Sequence, residues 1–508
     1  MKKLLLIVSM FIISLFTLTS CKNTDKELVD WTEEKYEAVV ELPEDIKKEM
    51  KGKLRVTTSP DYAPYTFLDM KAEGLKRFQG ADIFLANYLA QSLGLELEIV
   101  ESNFDGLTIQ LDNNRADLIL AGMTYTEERA KNYDITDYYY ANGDGGQVLL
   151  VLKDQYDNLN SKDAMNQNHI TIGAQAGSVQ FQLAEEQLEA ASVKPFSKID
   201  DGLNRLKHGN FQALALSGIN AKTAIKKDSS LKIIDSFVLV EDNPSGTMGL
   251  LKKGSDLTTY INEALEKLDA KAYENWLNAS IDYSVAISVD VNTNFFKRFG
   301  LVISEYGTEF LKGTGITLAL SAVTVIFGTI IAVGLSVIRR SKYVAVRSVG
   351  NAYVEFVRGI PLLLLLWLLY MISPASWPTY VSVTIALFLN SGAYVAEIIR
   401  AGVAGVDKGQ YEAGRTLGLS KFQTMRKIIL PQAVKKILPA LGNEFVSLIK
   451  ETSLASVFFI GDLMTVKNNI TAITYLSIEP FIVVGIIYFV LTYGTTKLIK
   501  LVEKKLEA

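Results

Sequence analysis

The pattern of apolar and polar positions changes character near residue 300. Ahead of it, short apolar runs alternate with amphipathic stretches. Leu54–Thr58, Leu95–Val100 and Asp117–Ala121 read as strands, and Ile83–Leu93 and Leu107–Asn113 as helices. Strands alternating with helices predict an α/β domain with mostly parallel sheets, whose ligands sit beyond the carboxyl ends of the strands. Behind residue 300 come five long apolar stretches: Phe310–Ile338, Tyr353–Ile372, Tyr380–Ile399, Val434–Ile460 and Ile478–Ile499. Most reach the roughly 20 residues that a bilayer-crossing helix needs. The fourth holds Lys435, Lys436, Glu444 and Lys450, so its limits are the least defined. The expectation is a water-exposed α/β domain followed by an all-α membrane domain of five helices.

Charge sharpens the division. Leu301–Ala508 holds 20 Lys and Arg against 12 Asp and Glu, while the whole chain holds 52 against 56, which leaves an acidic front and a basic back. Basic residues mark cytoplasmic loops. Arg339, Arg340, Lys342 and Arg347 place the loop after the first helix inside, so that helix enters from outside. Ser373–Thr379 is a short uncharged outer turn, and Arg400–Lys436 a long basic inner loop. No stretch joins a dense basic cluster to stacking aromatics, so no nucleic-acid surface is expected. Cys21 is the one cysteine, and His169 and His208 are the two histidines. No metal site and no hydrolytic triad is expected from so few ligands.

The first 20 residues, positive at Lys2 and Lys3 and apolar from Leu4 to Leu18, read as a signal segment too short to span. Leu18-Thr-Ser-Cys21 resembles a bacterial lipobox, which implies lipidation of Cys21. Residues 21–51 read as a lipidated or flexible tether outside the core, 52–285 as the α/β domain, 286–309 as a linker and 310–508 as the membrane domain.

Several motifs in the front domain come from one pattern: Leu54-Arg-Val-Thr-Thr-Ser-Pro-Asp-Tyr-Ala-Pro-Tyr65, Gly80-Ala-Asp-Ile83, Phe104-Asp-Gly-Leu107 and Asp117-Leu-Ile-Leu-Ala-Gly-Met-Thr-Tyr-Thr-Glu-Glu-Arg129. Together they resemble the solute-binding proteins of polar amino-acid ABC transporters, over roughly Lys51–Tyr283. The resemblance implies a bilobed, periplasmic-binding-protein-like fold. Gln147–Lys153 and Pro244–Lys252 read as the two crossovers of its hinge. Arg129 supplies a planar, permanent cation for a carboxylate. Ala121, Gly122 and Thr124 would point backbone amides and a hydroxyl into the cleft, and Tyr62 and Phe104 would face the ligand. Gly177-Ser178-Val179-Gln180 looks like a helix start that completes the carboxylate site. The family carries an acidic residue for the ligand's ammonium where this chain has Ser217; Glu241 or Asp242 could compensate.

In the inner loop, 400–431, the run from Tyr411 to Pro431 resembles the permease signature that docks on an ABC ATPase. Glu412, Ala413, Gly418, Ile428, Leu430 and Pro431 fall on the pattern, and Gly414 replaces a second alanine. Gly418 suits a left-handed helix stop. The small residues 413 and 414 would allow close approach of a partner. Glu397, Glu444 and Lys450 are ionisable at membrane depth and stand for a translocation path or for internal pairing. No Gly-x-x-x-x-Gly-Lys-Ser/Thr occurs, so the chain is expected to be no enzyme and to need no cofactor. The resemblance implies a subunit of an importer for a polar amino acid in the bacterial cell membrane, a homodimer of this chain with a separate ATPase. The alternative is an amino-acid-gated membrane receptor or channel, which would need a filter such as Thr-Val-Gly-Tyr-Gly that the sequence lacks.

Overall fold

The computed structural model describes residues 30–140, 146–240, 246–289, 291 and 293–507. The signal segment, Cys21, Glu241 and Asp242 fall outside the described residues. The chain divides into two compact units, one holding residues 30–307 with 467–481, the other residues 308–466 with 482–507.

The first unit is α/β. Its strands among the described residues are β1 (Lys53–Thr58), β2 (Asp61–Tyr62), β3 (Thr66–Leu68), β4 (Phe78–Gln79), β5 (Glu96–Glu101), β6 (Leu118–Thr124), β7 (Tyr133–Ile135), β8 (Gln147–Leu152), β9 (Thr171–Gln175), β10 (Ser192–Phe196), β11 (Ala213–Ser217), β12 (Leu231–Ile233) and β13 (Thr247–Lys252). Two five-stranded sheets result, in the orders β5-β1-β6-β13-β7 and β10-β9-β11-β8-β12, with β2-β3-β4 as a small third sheet. Each large sheet centres on a nearly continuous apolar strand, such as Leu118-Ile-Leu-Ala121, as a sheet covered on both faces requires. The chain passes to the second sheet before β8 and returns before β13, so Gln147–Lys153, expected as the first crossover, is instead almost wholly a strand of the second sheet and the passage precedes it; β8 and β13 both pair antiparallel with their neighbours. The first lobe therefore contains chain from both sides of the excursion, while the second is built from the stretch between the two crossovers.

The segment expected as a tether is, from Asp30 onward, part of this unit. Trp31, Val40 and Leu42 are buried, and Trp31 Nε1 donates to the carbonyl of Phe78 over 2.7 Å. A few apolar side chains in an otherwise charged and largely exposed stretch, Met50 among them, anchor it to the core, although they follow no regular period. The stretch expected as a linker is helical from Phe295, where a helix runs to Ile338.

The second unit is helical. Phe295–Ile338, Thr379–Ala404 and Ile478–Lys504 are long and apolar enough to cross a membrane. The stretch expected as one straight helix, Tyr353–Ile372, is instead two, Val344–Gly359 and Leu362–Ile372, bent by 112°. Pro361 explains the break: it donates no hydrogen bond and drives the residue before it out of the helical region, and Ile360 is extended at φ −106°, ψ 148°. The fourth apolar stretch forms helix Leu430–Glu451 and a following turn, Thr452–Phe458. Inside this unit Glu397 accepts from Arg339 Nη1 at 3.1 Å and from Arg400 Nε at 2.7 Å, which places it in internal pairing.

Candidate functional site

Strand β6 builds one half of the site. It extends past the expected end at Ala121 to Thr124, so Gly122 lies within it at φ +61°. A Cβ there would stand 2.9 Å from both the Tyr62 and Tyr65 rings, so the position needs glycine for its backbone angle and for its neighbours. The Gly122 amide, expected to face the ligand, donates instead to Asp82 Oδ2 over 2.7 Å. The reading is corrected on that point: a positive φ turns the amide back toward the Ala81–Ser92 helix.

After β6, Thr126 caps helix Glu127–Asn132, and its side chain accepts the Arg129 amide. That cap aims the Arg129 side chain back over the strand end. Its Nη1 donates to the Thr124 carbonyl at 2.5 Å and its Nη2 to the Gly177 carbonyl at 3.0 Å. The Arg129 guanidinium lies 6.0 Å from the centre of the Phe104 ring. Tyr62 stacks on Tyr65 at 5.5 Å and leans on Phe104 at 6.3 Å. Burial holds the Arg129 pKa down to about 10, which leaves the group charged at neutral pH. Burial pushes the Tyr62 phenol up to about 12, while the Ser217 hydroxyl and the Arg129 charge act against that rise. Among the described residues no carboxylate forms an ion pair with Arg129; its hydrogen bonds run to neutral carbonyls.

The second lobe supplies two helix starts. Ser178 caps Val179–Gln187, accepting from the Phe181 amide and donating to the Gln175 carbonyl. Gly177, at φ +72°, makes the turn that exposes its carbonyl to Arg129. Ser217 caps Gly218–Lys227 and donates to the Asn220 side chain. Asn220 Nδ2 in turn reaches the Ala63 carbonyl in the first lobe over 2.6 Å. Tyr62, Phe104, Thr124, Arg129 and Ser217 are thus gathered with the Gly177–Val179 turn, while Ala121 is wholly buried in the strand.

Asn220, Tyr65 and Asp82 were not singled out from the sequence. Asn220 stands three residues after a capping serine, a spacing that marks a helix start. Tyr65 and Asp82 both lie inside quoted motifs, but only the fold shows what they touch.

A separate constellation occupies the inner loop of the helical unit. Helix Lys408–Thr416 is capped by Asp407 and ends in a Schellman motif: the Leu419 amide bonds the Gly414 carbonyl, the Gly418 amide bonds Arg415, and Gly418 sits at φ +78°. Gly414 packs inward, where a Cβ would meet Thr424 at 2.7 Å. Its smallness serves the loop's own fold, which corrects the expected role in meeting a partner. Glu412, Ala413, Leu430 and Pro431 are exposed, and Ile428 is partly covered. Leu417 and Phe422, unremarked in the sequence, are 78% and 71% exposed on either side of the turn.

Comparisons with known proteins match this division. Residues 304–508 match the family described as binding-protein-dependent transport system inner membrane component, and residues 54–279 match the bacterial extracellular solute-binding proteins, family 3. A putative glutamine transport system permease protein, GlnP, of Rickettsia bellii is 41% identical over 200 residues, 39% of this chain and 92% of that protein. The arginine transport system permease protein ArtQ of Bacillus subtilis is 39% identical over 202 residues, again 39% of this chain and 92% of that protein. The crystal structure of an amino acid ABC transporter substrate-binding protein, AbpA of Streptococcus pneumoniae, bound to L-arginine, is 27% identical with a TM-score of 0.43, covering 47% of this chain and 98% of that one. The chain therefore belongs to the binding-protein-dependent inner membrane transport components and carries its solute-binding domain on the same polypeptide, as the fused binding and permease subunit of an amino-acid ABC importer.

Proposed function

We propose that the cleft between the two lobes captures a polar α-amino acid by its carboxylate. The observation that carries this reading is the Arg129 guanidinium, charged, anchored by two carbonyls and lacking an ion-pair partner among the described residues. A ligand carboxylate set between Arg129 and the start of the Val179 helix would meet a cation and a helix N-terminus together. Tyr62 and Phe104 would cover the rest of the ligand. The ammonium would face aromatic rings and backbone carbonyls, because Ser217 offers no charge and is committed to capping its helix. Glutamine and arginine, the amino acids in the names of two relatives, are the first candidates.

The permease is proposed to work as a homodimer with a separate ABC ATPase seated on the loop around Gly418, since the sequence holds no P-loop of its own. Exposed Leu417 and Phe422 give that loop an apolar knob for a partner groove. The test is a thermal-shift and calorimetric screen of the purified full-length chain against the twenty amino acids. Saturable binding of at least one with a stabilising shift is expected. Silence toward all of them would refute the capture reading.

A further inference from the structure

The Asp82 side chain is wholly buried in the first turn of helix Ala81–Ser92, and its carboxylate is the meeting point of three other elements. Oδ2 accepts the Gly122 amide at 2.7 Å; Oδ1 accepts the Tyr273 hydroxyl at 2.5 Å and the Tyr139 hydroxyl at 3.2 Å. Gly122 lies two residues before Thr124 in the strand whose end anchors Arg129. Tyr139 lies between β7 and β8, where the chain leaves for the second sheet; its amide donates to the carbonyl of Thr247, the first residue of the returning strand β13, and the Thr247 amide donates back to the Tyr140 carbonyl. Tyr273 belongs to helix Ala272–Ala286, and its ring packs at a tilt against those of Tyr139 and Tyr140, with centres 4.9 and 5.4 Å apart. One carboxylate thus touches the strand of the proposed cradle, the paired crossovers and the last large helix of the lobe.

The surroundings of Asp82 are not those of a stabilising ion pair. The groups facing it are the phenols of Tyr65, Tyr139 and Tyr273 and the Gly122 amide, with Tyr62 beyond; no basic side chain is among its described partners. Burial pushes its pKa up to about 6, against the pull of its three hydrogen bonds. A carboxylate whose pKa is raised on folding weakens the fold as pH rises from its unfolded value through its folded one, so at neutral pH the ionised Asp82 is less stabilising than its protonated form would be. The three donors favour the ionised form and burial opposes it more strongly, yet with a pKa of about 6 the carboxylate is ionised at neutral pH and offers both oxygens to the three donors.

We propose that Asp82 is a positioning residue for solute capture, holding the Gly122 bend of the cradle in register with the hinge crossovers. The proposal rests on the capture reading above. Without the carboxylate, Gly122 and Tyr139 would no longer share an anchor, and lobe closure would not deliver Gly177 to Arg129 at the same distance. Ionisation of Asp82 then becomes a condition of tight binding.

The test uses the full-length chain in nanodiscs, with L-glutamine and L-arginine as probes, in wild type, Asp82→Asn and Tyr273→Phe. Affinity is measured by calorimetry from pH 5 to 8, alongside melting temperature. For wild type, affinity should fall at least fivefold as pH drops from 7.5 to 5. Asp82→Asn should bind at least tenfold more weakly at pH 7.5, with a flat pH profile and a melting temperature equal to or above wild type. Tyr273→Phe, which removes one donor, should lose less affinity and keep a pH slope. Wild-type affinity in Asp82→Asn would overturn the proposal. So would affinity lost only in step with a collapsed melting temperature in both variants, since that marks a structural role. Failure of the capture reading is separate: wild type itself would bind neither probe nor any other amino acid, and the proposal would fall with it.

Discussion

Arg129 Nη2 donates to the carbonyl of Gly177 across 3.0 Å, a bond between the two lobes of the solute-binding domain. Its other terminal nitrogen holds Thr124 of its own lobe. The guanidinium is thereby fixed at the mouth of the Val179 helix with its charge unpaired by any described carboxylate. A cation placed so is suited to a carboxylate that enters between the lobes.

Replacing Arg129 by alanine should remove the proposed partner of the ligand carboxylate and one tie between the lobes. Truncating one member of a buried charged pair typically costs about 2–5 kcal/mol, roughly thirtyfold or more in Kd. Arg129→Lys keeps the charge but not the planar fork and should recover only part of that loss. Calorimetry on the full-length chain measures both. An unchanged Kd in Arg129→Ala would place the ligand elsewhere.

Ser217 stands where the resemblance to amino-acid binding proteins expects an acid, and its hydroxyl is occupied with Asn220. A neutral group there cannot read the ligand's ammonium by charge. The wild-type chain should therefore discriminate weakly between an α-amino acid and the matching α-hydroxy acid. Ser217→Asp keeps a capping side chain and adds the charge, and should raise that discrimination by about tenfold, near 1.4 kcal/mol. Competition binding with the two acids decides it. A variant with unaltered discrimination would show that the ammonium lies away from residue 217.

Much of this was legible in the residues. The alternation from Leu54 to Ala121 and the helix-stop at Gly418 are local signals, and local signals survive folding. The positions of Tyr62, Phe104 and Arg129 followed from motif resemblance, and the fold gathers them. What the chain did not disclose are contacts between segments distant in sequence. Trp31 finds Phe78, Asp82 finds Tyr273, and Asn220 finds Ala63, each pair being brought together by tertiary packing. The direction of the Gly122 amide was misread for a related reason. A glycine inside a strand signals a bend or a close approach, and only the neighbours tell which way it turns. Here those neighbours are two tyrosine rings and a carboxylate.

Trp31 gives a direct check on where the solute-binding domain begins. It is 2% exposed, packs with Leu68, Phe78, Ile83 and Phe84, and its indole donates to a buried carbonyl. Trp31→Ala should cost about 3–5 kcal/mol of domain stability, as large-to-small changes in a packed core do. At about 2–4 °C per kcal/mol for a domain of this size, the ligand-free melting transition should fall by roughly 6–20 °C. A passive tether would leave the transition where it is, and scanning fluorimetry separates the two outcomes.

The last prediction concerns the inner loop. The Schellman turn at Gly418 sets the end of helix Lys408–Thr416, and Leu417 and Phe422 flank it in the open. Two large apolar side chains at 78% and 71% exposure add nothing to the fold of the loop, whose own core is Val403, Val406, Ile429 and Ala433. Replacing Leu417 and Phe422 together by serine should therefore leave the melting temperature within about 1 °C, in line with surface changes that touch no packed group. The same change should abolish co-purification with the ATPase and ligand-stimulated ATP hydrolysis, while the Kd for the amino acid stays as in wild type. Gly418→Asp should give the same uncoupling by a different route, since a non-glycine residue at φ +78° strains the helix stop that presents the knob. Full coupling in both variants would mean that the ATPase is held by another surface. Loss of amino-acid binding together with coupling would mean that the changes reached beyond the loop.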